Sequence, residues 1–387
     1  MRNVDDAGLA ASGPLAAGSA EASTPGLEAA LAELAAGAEQ RDAAHQPEFP
    51  TDAFRALRRC GALRFNAIAG EARPPAALEL ALVRQVAAAD GSVGRIFDGH
   101  LNAVERLAVQ APAALREREL EAVHGDSLLA GVWGGDPTGD EGEPATIVRQ
   151  AGGGEVLRGV KTFCSGAGGL DRAAVLGRAE HGGPPLLVWI DVADRSHVEL
   201  DTGWYRARGL VASVSHRVVF HDAPVLMRLG EPGAIAAQPW FGRDALRTAA
   251  SWAGMADTAT GAALGTLARR PARSELEALA AGRILTAQRT IDAWLTTAAA
   301  AMDRAPADLA QVALHARAAI AAGCRELLAE AARACGSGPF ARAQALDRAR
   351  RDLELFLLAH RLDPLLAREG ARVLDELAEH SAITGGG

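Results

Sequence analysis

The stretch VLRGVKTFCSGAGGLDRAAVLGRA, residues 156–179, holds two short runs rich in valine, leucine and alanine on either side of a turn of small residues. Short runs of this kind, separated by glycine, serine and aspartate, are typical of β-strands. Similar runs continue on both sides, and the GGG at 152–154 is typical of a tight hairpin turn. The sequence therefore predicts a β-domain in the middle of the chain.

Helical periodicity occupies the sequence on both sides of this β-domain. Apolar residues recur at three-to-four spacing in LEAALAELAAGAEQR (27–41) and TDAFRALRRCGALR (51–64), and a third helix is predicted over 77–109, loosened around Gly91 and Gly94. Four long amphipathic segments follow residue 240, and four such helices with short breaks favour a bundle.

These patterns divide the chain into four parts. We expect a leader, flexible by composition, at 1–25, an N-terminal helical domain at 26–126, the β-domain at 127–230 and a C-terminal helical bundle at 231–387. The GGG that ends the chain is expected to be frayed.

Composition and charge exclude several classes of function. The net charge of −8 gives no electrostatic reason to expect a nucleic-acid partner. No run of 18 apolar residues predicts a membrane span, and the first residues lack the pattern of a signal peptide. The four cysteines show no metal-binding spacing, so we expect no metal site, and free thiols in a reducing cytoplasm.

Four segments, in chain order, resemble the acyl-CoA dehydrogenase superfamily. They are FPTDAFRALRRCGALR with AAADGSVGRI, then residues 156–179, then GWYRARGLVASVSHRVVFHDAPV (203–225), then GSGPFARAQALDRARRDL (336–353). The resemblance covers about residues 27–378. It implies an α+β fold with an N-terminal helical domain, a middle β-barrel domain and a C-terminal four-helix bundle. It also implies a flavin held between barrel and bundle, and a homodimer or homotetramer.

The resemblance assigns flavin-binding roles to the strand and turn at 163–166. A flavin ring needs a flat wall and a hydrogen-bond donor near N5. Carried over from the family, Phe163 supplies the wall and Ser165 the donor, and Gly166 allows close approach. Without the surrounding pattern, Phe163 would be a barrel core residue and Ser165 a turn residue.

Five further residues lie where the family approaches the cofactor, although its local patterns are not kept. Trp133, Gly134 and Thr138 stand in GVWGGDPTGD, where the family has a loop around the flavin pyrimidine. Trp133 either packs on the ring or caps the barrel. Ser213 and Ser215 lie near the expected cofactor phosphates, or are ordinary strand hydroxyls.

The nucleotide end of the cofactor site is also altered. Many family members hold the FAD diphosphate with an Arg-x-x-Phe-Gly element after the first bundle helix. Here that region reads ARRPARSELEAL (268–279), in which Arg269 supplies positive charge but no Phe-Gly follows. The resemblance still implies FAD, with FMN as the alternative.

The catalytic glutamate of the dehydrogenases is missing at both of its usual places. It commonly stands eight residues beyond the Asp of an Arg-Asp pair, and here His360 stands eight residues beyond Asp352. The other place, early in the first bundle helix near Leu246, holds only apolar or small residues. Taken alone, a histidine that ends the apolar face of RRDLELFLLAH (350–360) would more often be structural.

A branch of the same superfamily, the flavin-dependent monooxygenases, has a histidine near that position. These enzymes take reduced flavin from a separate reductase and insert one oxygen atom. The branch pairs the histidine with another after an Asp-Gly-Ser stretch and with the serine of Phe-x-Ser-Gly. Here these are His360, His100 and Ser165. An imidazole suits this role because its ordinary pKa lies near neutrality.

The sequence therefore leaves three functions open. The favoured one is a reduced-flavin monooxygenase that uses His100, Ser165 and His360 on a small molecule, with a separate flavin reductase or electron-transfer partner. The second is a dehydrogenase of acyl thioesters with His360 as the base. The third is an inactive relative that serves as a binding protein.

Overall fold

The computed structural model describes residues 26–70, 72–305 and 307–384. The leader predicted for residues 1–25 and the terminal GGG lie outside the described residues. Within the described ranges the chain folds as helices, then strands, then helices.

The first group of helices forms a layer on one side of the strands. Its members are α1 (Leu27–Asp42), α2 (Thr51–Arg59), α3 (Ala76–Ala89), α4 (Gly91–Gln110) and α5 (Ala113–His124). Almost every residue of α4 is buried, because it packs between α3, the first strand and the helix Trp240–Ala268 of the second group. Helix α4 therefore contacts both the β-domain and the second helical group.

The helix predicted over 77–109 is instead two helices, which is a correction. The carboxylate of Asp90 accepts a hydrogen bond from the backbone N–H of Val93 at 3.0 Å and so caps α4. Gly94 lets the start of α4 approach α3, since a β-carbon there would lie 2.5 Å from the Cα atom of Ala87. The glycines thus allow close packing at a sharp break.

Seven strands in the described residues form one sheet, in which five strands close into a ring and the other two are attached to it. They are β1 (Ala130–Trp133), β2 (Thr146–Arg149), β3 (Glu155–Cys164), β4 (Arg172–Ala179), β5 (Leu186–Asp191), β6 (Val198–Asp201) and β7 (His216–Arg228). The order is β1-β4-β2-β3-β7-β5, and β4 also pairs with β5. This last pairing closes β4, β2, β3, β7 and β5 into a ring. Such closure removes open strand edges. The hairpin turn predicted at 152–154 joins β2 to β3.

The second group contains six helices in the described residues, and four of them pack together as a bundle. Its members are α6 (Trp240–Ala268), α7 (Glu275–Arg304), α8 (Leu309–Cys335), α9 (Gly338–Ala341), α10 (Ala345–Leu358) and α11 (Asp363–Thr384). Helix α6 packs against α7, α8 and α10, and α7 packs against α8. Together with the barrel and the N-terminal layer, this bundle confirms the predicted α+β fold.

A buried ion network joins the two helical groups. Glu79 of α3 and Glu105 of α4 both pair with Arg243 and Arg247 of α6, and the Arg247–Glu105 distance is 2.7 Å. All four side chains are buried. Each charge needs its partners in this environment, so the network fixes α4 against α6.

Candidate active site

Three serine hydroxyls form a buried chain at the end of the barrel. The Oγ atoms of Ser165 and Ser215 lie 2.8 Å apart, and those of Ser213 and Ser215 also lie 2.8 Å apart. The backbone N–H of Gly166 donates to the carbonyl of Ser213 at 2.8 Å. The turn after β3 and the segment before β7 are therefore joined by hydrogen bonds. The sequence named all four residues but did not predict their contact.

Tyr205 extends this chain of hydroxyls. Its hydroxyl lies within hydrogen-bonding reach of Ser213 and Ser215 and donates to the carbonyl of Gly209 at 3.1 Å. Burial raises the pKa of Tyr205 to about 12, so the phenol stays protonated at neutral pH. The cluster is a neutral set of donors and acceptors.

An exposed phenylalanine and a half-buried tryptophan meet near the serines. Phe163 has a left-handed backbone (φ 54°) and 58% of its surface exposed, and its ring meets that of Trp204 edge-on at 4.9 Å. The Trp204 indole donates to Glu141 at 2.7 Å, and Glu141 also accepts from the backbone N–H and the hydroxyl of Thr138. Phe163 is thus a surface ring, and the core position that the isolated sequence allowed for it is excluded.

Two candidate residues at the end of β1, Trp133 and Gly134, lie in different surroundings. Trp133 is 1% exposed, and its indole donates to the carbonyl of Ser165 at 3.0 Å while its ring packs near Phe220. This ring caps the barrel and supports the Ser165 peptide from inside, which was one of the two alternatives. Gly134 is exposed, and a β-carbon there would meet nothing within 4 Å.

His360 lies just beyond α10 in an aromatic corner. Its ring is 5.6 Å from that of Trp252 and 5.7 Å from that of Phe356, measured between centroids. Burial, together with Arg317 and Arg95, lowers the pKa of His360 to about 3. The imidazole is therefore neutral across the physiological range. Within the described ranges, neither ring nitrogen has a hydrogen bond.

Two guanidinium groups border the same corner. Arg317 of α8 stands 5.7 Å from the Trp252 ring, and Arg95 of α4 stands 5.3 Å from the Phe356 ring. Asp98 lies 3.8 Å from Arg95 and is fully buried. The corner thus contains two cations, one carboxyl group and a neutral imidazole.

Arg95 connects this corner to the barrel hydroxyls. It acts electrostatically on His360 on one side and on Tyr205 on the other. Its side chain is 23% exposed. We define the candidate site as the two clusters with the arginine between them, namely Ser165, Tyr205, Arg95, Arg317 and His360.

His100 lies elsewhere and is fully engaged. Its Nε2 donates to the carbonyl of Leu63 at 2.7 Å, and its Nδ1 accepts from the backbone N–H of Ala130 at 3.1 Å. The ring has no exposed surface, and burial lowers the pKa of His100 to about 4. In this arrangement the imidazole ties the N-terminal layer to β1. Its catalytic role stays a prediction.

Two other residues predicted to bind the cofactor, Gly166 and Arg269, have contacts within the protein. Gly166 has a φ of 78°, and a β-carbon there would press on Leu170 and Ile96, so the close approach it allows is to its own chain. Arg269 is the C-cap residue of α6, and its exposed side chain lies beside Thr266. Its cofactor role stays a prediction.

Asp352, which marks the position of His360 in the sequence, does not point into the site. Its carboxylate accepts from the backbone N–H of Leu210 at 2.5 Å. Burial, opposed by that hydrogen bond, raises the pKa of Asp352 to about 7. Leu246, at the other usual place of the base, is fully buried. In the described residues there is also no group of three His, Cys, Asp or Glu side chains that could hold a metal ion.

Of three comparisons with known proteins, the search of solved structures gives matches. Neither a scan against models of protein families nor a search of curated proteins gives a match. Among solved structures, TdsC from Paenibacillus sp. A11-2, in complex with FMN and indole, is 18% identical, with a TM-score of 0.79 over 90% of this chain and 96% of that one. The chain has the acyl-CoA dehydrogenase-like fold.

Two further structures share the acyl-CoA dehydrogenase-like fold with this chain. The methanesulfinate monooxygenase MsuC from Pseudomonas fluorescens is 21% identical, with a TM-score of 0.77 over 90% of this chain and 96% of that one. A nitrososynthase from Micromonospora carbonacea var. africana is 19% identical, with a TM-score of 0.73 over 86% and 90%. At these identities the likeness establishes the fold.

The sequence interpretation missed three residues of the site, namely Arg95, Tyr205 and Arg317. For Arg317 a signal was present. It stands at helical spacing among Ala313, Ile320 and Cys324, a face that is otherwise apolar. An arginine on a buried apolar face indicates a function or a buried partner. Helix α4 mixes polar and apolar residues around Arg95, so its sequence gives no comparable signal there.

Proposed function

We propose that this protein is a flavin-dependent monooxygenase that works on a small molecule in the candidate site. The observation that carries the proposal is the environment of His360. A neutral imidazole between two rings and two cations occupies the position where the dehydrogenases carry a carboxylate. An imidazole with so low a pKa is a weak proton acceptor, which disfavours abstraction of a proton from carbon.

The residues at the end of the barrel fit a flavin. Phe163 offers an exposed flat ring, Gly134 leaves open space around its backbone, and the serine chain offers hydroxyl donors. When bound, the reduced flavin supplies the electrons that activate dioxygen. We propose FMN instead of the FAD that the sequence resemblance implied, because TdsC was solved with FMN.

The chain's own residues then have separable roles. Ser165 donates a hydrogen bond at the cofactor edge, and Ser215, Ser213 and Tyr205 hold its hydroxyl in one orientation. Trp252 and Phe356 exclude water from the apolar side of His360. The imidazole, which has no protein partner in the described ranges, holds a proton at one ring nitrogen and accepts at the other.

Several coarser features of the proposal concern partners and compartment. A separate reductase would supply reduced flavin, and assembly as a homodimer or homotetramer stays a prediction. All four cysteines are free and buried, which fits the proposed reducing cytoplasm. Among the described residues, no helix combines the length and apolarity that crossing a membrane requires.

The test compares flavin binding and flavin reduction in the purified protein. Under anaerobic conditions we expect FMN to bind and quench tryptophan fluorescence, because Trp204 lies beside Phe163. Phe163→Ala should weaken FMN binding about fivefold, from the loss of a stacking surface. The matched control is Phe241→Ala, which removes another exposed ring at the start of α6.

Three outcomes would decide between the functions. Anaerobic bleaching of bound oxidised flavin by acyl thioesters would establish the dehydrogenase and overturn the monooxygenase. Failure of both FMN and FAD to bind would favour the inactive relative. Binding of reduced FMN without any bleaching by thioesters supports the proposal.

A further inference from the structure

Arg317 is a buried cation without a counter-ion. Only 6% of its surface is exposed, its Nε atom has no hydrogen-bond partner, and it forms no ion pair within the described part of the chain. Transfer of a guanidinium from water to such a place is unfavourable unless an anion compensates it. The contact with the Trp252 ring stabilises the cation only in part.

The neighbouring charges do not neutralise it. Asp98 is the only carboxylate in the described structure whose charge acts on Arg317, and it also serves Arg95. Its oxygens already accept hydrogen bonds from Asn102 at 3.1 Å and from Thr248 at 3.2 Å. Burial further raises the pKa of Asp98, which weakens it as a counter-ion. Two guanidinium groups therefore share one carboxyl group that already accepts two other hydrogen bonds, and the corner has excess positive charge.

The remaining surfaces of the corner are apolar. Trp252 and Phe356 are both fully buried and meet edge-on at 6.2 Å. The indole N–H of Trp252 is a second buried donor without a partner. His360 and Arg95 keep some exposed surface, so the edge of the corner is in contact with solvent. A ligand that fits must combine one anionic group with an apolar body.

We propose that Arg317 and Arg95 bind the anionic group of the substrate, which is an organic carboxylate or sulfinate with an apolar body next to Trp252 and Phe356. A guanidinium presents parallel N–H donors that match two oxygens of such an anion. The anion would be held beside His360, so the same residues that bind the substrate would place it at the imidazole.

A purely structural role for Arg317 makes the opposite prediction about stability. If the guanidinium stabilised the fold, its removal would lower the melting temperature. If it is an uncompensated cation kept for a ligand, Arg317→Met should leave the melting temperature unchanged or raise it, since a methionine of similar length fills the space without charge.

The experiment measures anion binding to the full-length protein without substrate turnover. In a buffer of low chloride, calorimetric titration with benzoate and with benzenesulfinate should show saturable binding to one site, and the two arms identify which oxyanion fits. Benzamide, of the same shape but neutral, should bind at least tenfold more weakly. Arg317→Met should weaken binding of the anion at least tenfold, and Arg317→Lys should restore part of it.

Arg289→Met is the matched control, because Arg289 is an exposed residue of α7 with 66% of its side chain accessible. Equal binding of benzamide and benzoate would overturn the proposal. So would failure of both anions to bind, or a lower melting temperature with unchanged affinity in Arg317→Met. Should that variant fail to fold, Arg95→Met carries the same test.

This inference rests on the proposed function in treating the corner as a substrate site, and the two can fail separately. Binding of an anion that depends on Arg317, without binding of FMN or FAD, would keep the anion site and overturn the flavin proposal. Binding of FMN without binding of either anion would do the reverse.

Discussion

His360 is the residue on which the proposed chemistry depends. Its ring lies beside two aromatic rings, is affected by the charges of two arginines and has no protein hydrogen bond in the described structure. A group so placed contributes little to the fold and is available to a ligand. Its effect on activity and its effect on stability should therefore separate.

His360→Ala should lower the rate of oxygen insertion at least 100-fold, because removal of one positioned hydrogen-bond donor from a reacting centre commonly costs that much. The melting temperature should change by only a few degrees, since the side chain is partly exposed. Product formation from ¹⁸O₂, reduced FMN and either benzoate or benzenesulfinate measures the rate of oxygen insertion. Thermal unfolding measures the melting temperature. His181→Ala, at an exposed histidine, is the control. Near-normal oxygen insertion in His360→Ala would contradict the proposed role.

His100 makes a prediction about pH at the same scale. Its pKa falls from 6.5 in the unfolded chain to about 4 in the folded protein because of burial. Between these values the unfolded state binds the proton and the folded state does not, so the free energy of unfolding decreases as pH falls from 6.5 towards 4. The contribution is on the order of 3 kcal/mol.

His100→Gln should remove this part of the pH dependence, because the amide can keep both backbone hydrogen bonds without titrating. Urea unfolding at pH 7 and pH 4.5 measures the difference for the variant and for His181→Gln. An unchanged difference in His100→Gln would show that the ring is not the group that titrates.

At the scale of elements, α6 crosses α3 at a distance that only glycine allows. A β-carbon at Gly254 would lie 2.1 Å from the carbonyl oxygen of Arg84 and 2.8 Å from the backbone nitrogen of Ala88. Backbone atoms cannot rotate away as a flexible side chain can. The approach of the two helices sets where Trp252, two residues earlier, meets the site.

Gly254→Ala should destabilise the protein by about 1–3 kcal/mol, the usual range for overpacking in a core. The control lies on the same helix. Gly261 is exposed, and a β-carbon there meets nothing within 4 Å, so Gly261→Ala should stabilise by up to about 1 kcal/mol through helix propensity. Chemical denaturation of the two variants compares them directly, and equal changes in both would contradict the crossing geometry.

At the scale of the whole molecule, barrel and bundle are coupled through buried charges and a shared core. One cluster of buried apolar side chains includes residues of both helical groups and of the strands. The ion network of Glu79, Glu105, Arg243 and Arg247 lies between the helical groups. These groups should therefore unfold together.

Arg247→Met should lower stability by about 3–5 kcal/mol, because it leaves Glu79 and Glu105 buried with one cation fewer. Unfolding can be followed by circular dichroism, which reports helix content, and by tryptophan fluorescence, to which Trp189 of β5 contributes from the barrel. The unfolding midpoints measured by the two signals should shift by the same amount. Arg289→Met should shift neither. Separate transitions for the two signals would show that the layers are independent.

The amino-acid sequence by itself determined the class and order of the elements. Short runs of valine and leucine separated by glycine specify strands, and long runs at three-to-four spacing specify helices, because the period of burial differs between the two. The same local patterns placed the hairpin turn at 152–154, and the resemblance to the acyl-CoA dehydrogenase superfamily pointed to Ser165, Ser213, Ser215 and His360 as residues of interest.

Only the tertiary structure decided which of these residues meet and what charge surrounds them. Trp133 and His100 fit the motifs as well as Phe163 and His360 do, yet the first two have buried rings engaged by the protein and the last two keep exposed surface. Arg95 and Arg317 are separated by more than two hundred residues along the chain, and helix packing brings both next to His360. Burial and long-range electrostatics arise from this packing, and no local pattern encodes them.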